Sequence, residues 1–375
     1  MAYKRAWKGQ TDEPVKNSSE KYSDYVEGFN TKMVELLEKN EAPWQKPWNP
    51  GEMGSGLPYN ATTGKSYSGS NSLWLVMEQA KNGYVDDRWS TFNQGKDLGA
   101  FVRKGEKGTQ LVKWVEVEEK KEGQAAQAPK ADGVEKDTRM VPVLFTVFNA
   151  AQFESFPPAP ERKLVSEHER HERCEQLIKD SGVQINYNGG NRAYYRPSTD
   201  SVHLPAKDQF KTADGLYATT LHELGHATGH PSRLGRDLSG RFGSESYARE
   251  ELNAELFSMM AGQRLGIGHD PSQHAAYLQS WIKIVKEDPK AILNACRNAE
   301  KICEHLGVEK YEHQATQKVE QQEAQEVMQQ PDQLATKANE QVAERPRRKG
   351  PPSLTVLPRP VEHRRSSGSE HGISL

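Results

Sequence analysis

Apolar and polar positions alternate along this chain in distinct rhythms. Tyr22, Tyr25, Val26, Phe29, Met33, Leu36 and Leu37 recur at spacings of three and four, which predicts an amphipathic helix over 22–37. The segment Ala42-Pro43-Trp44-Gln45-Lys46-Pro47-Trp48-Asn49-Pro50 is too rich in proline for a helix and reads as an extended loop presenting aromatics. A glycine-rich stretch over 51–69 leads to an expected helix over 70–81. Residues 110–117 and 141–148 read as paired strands, and the Lys/Glu/Gln/Ala-rich span 118–139 as a solvated excursion between them. Beyond Pro157, Pro158 and Pro160 the pattern predicts a helix over 164–181, then short strands at 184–187, 193–195 and 202–204. Helices follow over 216–229, 247–265 and 275–306. From Tyr311 onward the chain is Gln/Glu-rich, then basic at Arg345-Pro346-Arg347-Arg348-Lys349, with no apolar face to pack.

This order predicts an α+β protein in four parts: a flexible terminus (1–20), an α/β unit (21–156, with the insertion 118–139), a second folded unit (157–310) and a disordered polar and basic tail (311–375). Composition agrees. Only 34% of the 375 residues are apolar against 27% charged, so part of the length is expected outside any core. No run approaches the roughly 18 apolar residues of a membrane helix, and the start lacks a secretory h-region, so a soluble cytoplasmic protein is expected. Cys174, Cys296 and Cys303 form no CxxC pair, which argues against a disulfide framework or a thiolate metal knuckle.

The strongest chemical signal is Leu221-His222-Glu223-Leu224-Gly225-His226, an HExxH in a helical segment. At i and i+4 both imidazoles project from one helix face and reach a single ion, expected to be Zn2+, with Glu223 beside them as general base. A third ligand is expected from the next helix, where Glu251 and Glu255 share a face. Glu251 is assigned to the ion and Glu255 to the outer N–H of a ligand histidine, with the reverse left open. Glu250 is expected to be an exposed helix charge, and Arg233 and Arg236 solvated charges or ion pairs. A third histidine placed as in metzincins is missing, because Ser232 stands there. His230 and Tyr247 are the candidates for stabilising an oxyanion, and the strand at 202–204 for pairing with an extended peptide.

Six of the seven tryptophans fall in the first 114 residues, interleaved with lysine and arginine. Single-stranded nucleic acid is held by cations that track phosphates and aromatic faces on which bases stack. Trp44, Lys46, Trp48, Lys65, Tyr67, Arg88, Trp89, Phe92, Arg103, Lys104 and Lys107 are the candidates on that ground. The near-neutral total charge of −2 therefore averages a basic half with an acidic site.

The ordered motifs Ala42 to Trp48, Leu57 to Asn71, Arg88 to Gln94, Val102 to Gly108 and Val147 to Gln152, followed by Leu221 to Arg233 and Tyr247 to Leu256, resemble the ArdC-type antirestriction proteins of conjugative plasmids. The amino-terminal domain of that family is similar to the start of TraC-type plasmid primases. The resemblance spans about Tyr22 to Leu306. It implies an amino-terminal domain that binds single-stranded DNA, a zincin-like metallopeptidase domain, and protection of incoming DNA from host restriction. It adds Asn60, Thr63, Asn71 and Gln94 to the candidate DNA contacts, and leaves open a host or plasmid protein as substrate.

Overall fold

Asn17 starts the first helix, α1 (Ser18–Glu38), by accepting the backbone N–H groups of Ser19 and Glu20 while the Glu20 side chain returns to the Asn17 N–H. Its stripe, from Tyr25 to Leu37, is buried. The computed structural model describes residues 17–43, 57–118, 138–160, 165–268, 277–310, 313 and 315–316. The proline-tryptophan loop beyond Pro43 and most of the polar excursion lie outside them.

After α1 come β1 (Tyr59–Asn60), α2 (Gly69–Asn82), β2 (Arg88–Ser90), α3 (Phe92–Asp97), β3 (Phe101–Val102), β4 (Thr109–Glu118), β5 (Thr138–Asn149) and β6 (Phe153–Glu154). One sheet has the order β1-β2-β5-β4, with β1 parallel to β2 and the remaining pairs antiparallel. β4 and β5 pair along the whole of β4, Leu111 opposite Phe145 and Glu118 opposite Thr138, so the excursion leaves and re-enters at the far end of a long ladder. Leu75, Trp89, Leu111 and Val147 form a small buried cluster between this sheet and α2.

The second half runs α4 (Glu167–Asp180), β7 (Gln184–Asn186), β8 (Tyr194–Arg196), β9 (Ser201–His203), α5 (Ala213–Ala227), α6 (Glu245–Leu265), α7 (Leu278–Glu287) and α8 (Ala291–His305). The single helix expected over 275–306 is two. Asp288 is extended (φ −127°, ψ 97°) because the pyrrolidine of Pro289 disfavours the helical region for the residue before it. The three short strands pair as β7-β9-β8. β9 is therefore central, with both edges taken, and cannot receive a peptide as expected for 202–204. The edge beside the cleft described below is β8.

The halves share a core. Phe29, Met33 and Leu37 of α1 belong to the same buried cluster as Trp281 and Ile284 of α7 and Ile292 and Cys296 of α8. Polar contacts join them as well. Glu300 of α8 accepts the Gly69 N–H at the start of α2 (2.7 Å), and each of its oxygens accepts from Nη2 of Arg264 of α6 (2.7 and 2.8 Å).

Two positions assigned to the tail, His313 and Thr316, are placed against the amino-terminal half. The His313 N–H donates to the Gly64 carbonyl (2.8 Å), and the Thr316 N–H to that of Ala61 (2.7 Å). The His313 ring lies 3.8 Å from the Tyr59 ring and parallel to it. Gly64 has φ +71°, and a Cβ there would collide with the His313 carbonyl, so glycine is required twice over. All three cysteines are free and buried. No helix among the described residues is long and apolar enough to cross a membrane.

Candidate metal centre

Thr212 caps α5 through the Gly215 N–H, and α5 buries both faces of its second half, from Leu221 to Gly225. Gly225 lets α6 approach: a Cβ there would lie 2.9 Å from Phe257 and 3.3 Å from the Ala254 backbone. This close crossing brings the α6 carboxylates to the α5 imidazoles.

His222, His226 and Glu251 each offer one ligand atom, and the three atoms lie within 4.8 Å of one another. The two Nε2 atoms face each other at 3.2 Å, and each is 3.5 Å from a Glu251 oxygen. Two imidazoles and a carboxylate converging on one point, lining a cleft of about 980 Å³, are a donor set suited to a divalent ion. Glu255, fully buried, places an oxygen 3.3 Å from Nδ1 of His222. Of the two glutamates weighed for third ligand, Glu251 therefore faces the cluster and Glu255 the back of a histidine.

Glu250 corrects an expectation. Instead of pointing to solvent it is 6% exposed, accepts the His226 Nδ1–H (3.2 Å), and is gripped by Arg236 at 3.0 and 2.8 Å. Arg236 also donates to the Gly225 carbonyl and to Thr228 Oγ1, and Asn253 donates to Glu250 (3.1 Å). Burial opposes charge on Glu250, but Arg236 and His226 overcome it and hold its carboxyl at about 2. Helix periodicity did not reveal this glutamate because α6 is buried around most of its circumference, so no solvent face exists for it to occupy.

Glu223 lines the same cleft, and burial pushes its carboxyl above the usual range against the pull of the two histidines. It accepts a backbone hydrogen bond from Tyr195 of β8. The Tyr195 hydroxyl donates to Asp200 (2.7 Å), which Arg233 holds by two bonds of 2.8 Å. Tyr247 reaches the cleft, its hydroxyl 3.2 Å from that of Tyr277. His230 bonds Ser232 instead (2.7 Å) and is not among the residues lining the cleft.

In the amino-terminal half the candidate DNA contacts divide. Trp44, Lys46 and Trp48 lie outside the described residues. Arg88 and Trp89 are buried, Arg88 against Asp86 (2.7 Å) and Trp89 in the sheet core. Asn60 accepts the N–H groups of Thr62 and Thr63 and bonds Gln94, which itself caps α3; Asn71 exchanges two bonds with the Val112 backbone. Tyr67 is largely enclosed beside Asn60. These polar groups are occupied in holding turns and strands. Thr63, Lys65, Phe92, Arg103, Lys104 and Lys107 are exposed, Phe92 by 54%. Phe101 (55%) and Trp114 (46%), part of the same aromatic pattern but not among the chosen contacts, are exposed as well.

Residues 172–298 match the family model of a zincin-like metallopeptidase, and residues 23–148 that of the N-terminal domain of anti-restriction factor ArdC. The crystal structure of the antirestriction protein ArdC from plasmid R388, metal-free, superposes with a TM-score of 0.63 at 32% identity, covering 76% of this chain and 97% of that one. The chain belongs to the ArdC-type antirestriction family.

Among curated relatives, a DNA primase TraC of Escherichia coli is 50% identical over 279 residues, which is 72% of this chain but 26% of the primase. The chain thus spans about a quarter of that relative. A second structure of the R388 protein, with a TM-score of 0.58 at 31% identity and covering 75% of this chain and 96% of that one, is Mn(II)-bound. That finding overturns the expectation of zinc. A donor set of imidazole and carboxylate without thiolate does not discriminate for zinc, and carboxylate and water ligands suit manganese.

Proposed function

We propose that this protein shields incoming plasmid DNA from host restriction by holding single strands on its amino-terminal unit (21–156), while the unit that follows (157–310) carries a metal-dependent peptidase site. The observation carrying the reading is the order of the two family matches on one chain, joined to a His222–His226–Glu251 cluster in an open cleft.

The proposed DNA face is the surface made by α3, β3 and the turn that follows β3. Phe92 and Phe101 offer exposed rings there, and Lys104 and Lys107 exposed cations. Lys65, Thr63 and Arg103 are placed at its margin, and Arg103 already shares its charge with Glu106 (2.8 Å). Gln94 and Asn60 hold the start of α3 and the neighbouring turn, while Arg88, Trp89, Asn71 and Tyr67 serve the fold behind the sheet and are not part of the proposed face.

In the cleft, His222, His226 and Glu251 would hold the ion, with Glu255 and Glu250 fixing the outer nitrogens of the two rings. A divalent ion bound there supplies Lewis acidity and an acidified water. Glu223, raised by burial and aligned by the Tyr195 N–H, would take a proton from the attacking water at its carboxylate and return it to the leaving nitrogen. The Tyr247 hydroxyl, in the same cleft, would turn from Tyr277 and Glu251 to a developing oxyanion. The edge of β8 offers backbone groups to an extended polypeptide.

Glu223 favours a second reading, in which the peptidase acts on a host defence protein, because metal binding alone needs no base. Transfer into a restricting host separates the two. Under the shielding reading Glu223→Ala protects like wild type while Phe92→Ala/Phe101→Ala does not. Loss of protection in Glu223→Ala with DNA binding intact moves the function to the cleft.

A further inference from the structure

Phe242 is the most exposed large apolar side chain among the described residues, at 76%, yet it does not stand alone. Its ring centroid is 5.6 Å from that of Tyr247 and 6.2 Å from that of Tyr277, and the two tyrosine rings are 5.8 Å apart. Tyr247 and Tyr277 both line the metal cleft, and Tyr247 hydrogen-bonds Glu251. The three rings are thus one continuous apolar surface that begins beside a proposed metal ligand and ends in solvent.

Its shape is fixed. The backbone of Gly240 packs onto Tyr247 so closely that a Cβ would lie 2.5 Å from the Tyr247 nitrogen, which seats the loop carrying Phe242 against α6. Trp281 backs Tyr277 at 5.9 Å and is anchored by its indole N–H to the Ala248 carbonyl (3.0 Å). Exposed apolar surface of this kind, held rigid at the rim of a polar cleft, marks a place where another apolar group binds. Rings in mutual contact leave no space between them for a cation, so the surface is a platform and not a cage.

We propose that Phe242, Tyr247 and Tyr277 form the subsite that receives an aromatic or large aliphatic side chain of a polypeptide substrate, flanking the bond presented to the His222–His226–Glu251 cluster. The subsite rests on the peptidase reading of the cleft and adds the substrate class to it.

The test uses the full chain loaded with Mn(II) and amino-acid hydroxamates as probes, their metal-binding group held constant while the side chain varies. Dissociation constants for the phenylalanine, leucine, alanine, glutamate and lysine hydroxamates are measured by calorimetry. The phenylalanine and leucine compounds are expected to bind at least about tenfold more tightly than the alanine one, the range a well-formed apolar pocket gives. In Phe242→Ser, which alters the most exposed of the three rings, that ratio is expected to fall below about threefold while the unfolding midpoint stays at the wild-type value. Equal affinities for phenylalanine and alanine, or a preference for lysine, overturn the subsite while leaving the cleft reading intact. Failure of every hydroxamate, alanine included, to bind a protein that holds Mn(II) overturns both.

Discussion

Glu250 lies 3.2 Å from Nδ1 of His226, on the side of the ring turned away from the metal cluster, and Arg236 holds it there with two bonds. A carboxylate fixed in this way sets which ring nitrogen carries the proton and so which one faces the ion. Glu250→Gln keeps the shape but removes the charge and leaves Arg236 buried without its counter-ion. Mn(II) affinity, followed by loss of the free-ion EPR signal on titration, is expected to weaken about 10–100-fold. An unchanged affinity would show that the ring orients without it.

Gly225 decides how near α6 comes to α5. In Gly225→Ala the new methyl meets Phe257 and Ala254, and the helices must part by several tenths of an ångström. Overpacking of this kind costs about 1–3 kcal/mol. Urea unfolding should register that loss, and Mn(II) binding should weaken with it, because Glu251 moves with α6. A variant that unfolds earlier but binds Mn(II) as tightly as wild type would separate helix spacing from ligand placement.

The buried and exposed aromatics of the amino-terminal half predict opposite phenotypes. Trp89→Ala removes a fully buried ring and should cost about 3–5 kcal/mol of stability. Phe92→Ala/Phe101→Ala should leave the unfolding midpoint nearly unmoved and weaken binding of a fluorescent oligothymidylate by about 1–3 kcal/mol per ring. Lys104→Ala/Lys107→Ala should flatten the salt dependence of that binding, by about 0.7 in slope for each phosphate no longer neutralised. Binding at undiminished strength in both surface variants would place the DNA elsewhere.

Asp214 offers a pH test remote from DNA. Burial alone would raise its carboxyl, but His171 (2.7 Å), the Gly268 N–H (2.8 Å) and Arg170 (3.4 Å) together hold it below the usual value. A carboxyl lowered on folding contributes stability above its unfolded pKa of about 3.9, and loses it as pH falls through the folded value. Asp214→Asn should therefore be less stable than wild type at neutral pH, and the gap should close on acidification below about pH 4. A gap that stays constant across that range would assign the loss to packing.

Much of this architecture was legible in the sequence because period and chemistry coincided there. The α1 stripe, the β4–β5 pair and the HExxH segment each satisfy a local rule that the folded chain keeps. What escaped was set by long-range packing. Glu250 and Arg236 are fourteen residues apart, and their pairing exists only because the loop after α5 folds back over the start of α6. Trp89 and Arg88 fit the interleaving of aromatics and cations expected of a nucleic-acid face, but β2 lies inside its sheet, between β1 and β5. The order β7-β9-β8 likewise could not be read from three short strands, since sequence proximity favours pairing neighbours in order.

The contact of His313 and Thr316 with the turn at Ala61 and Gly64 bears on how such proteins are recombined. A gene fusion cut after the last helix, or a transplant of either half into a new host chain, would leave two backbone carbonyls and the face of Tyr59 to be covered by whatever comes next. The compact unit is therefore longer than the two matched regions, and its closing stitch is made by residues that follow them.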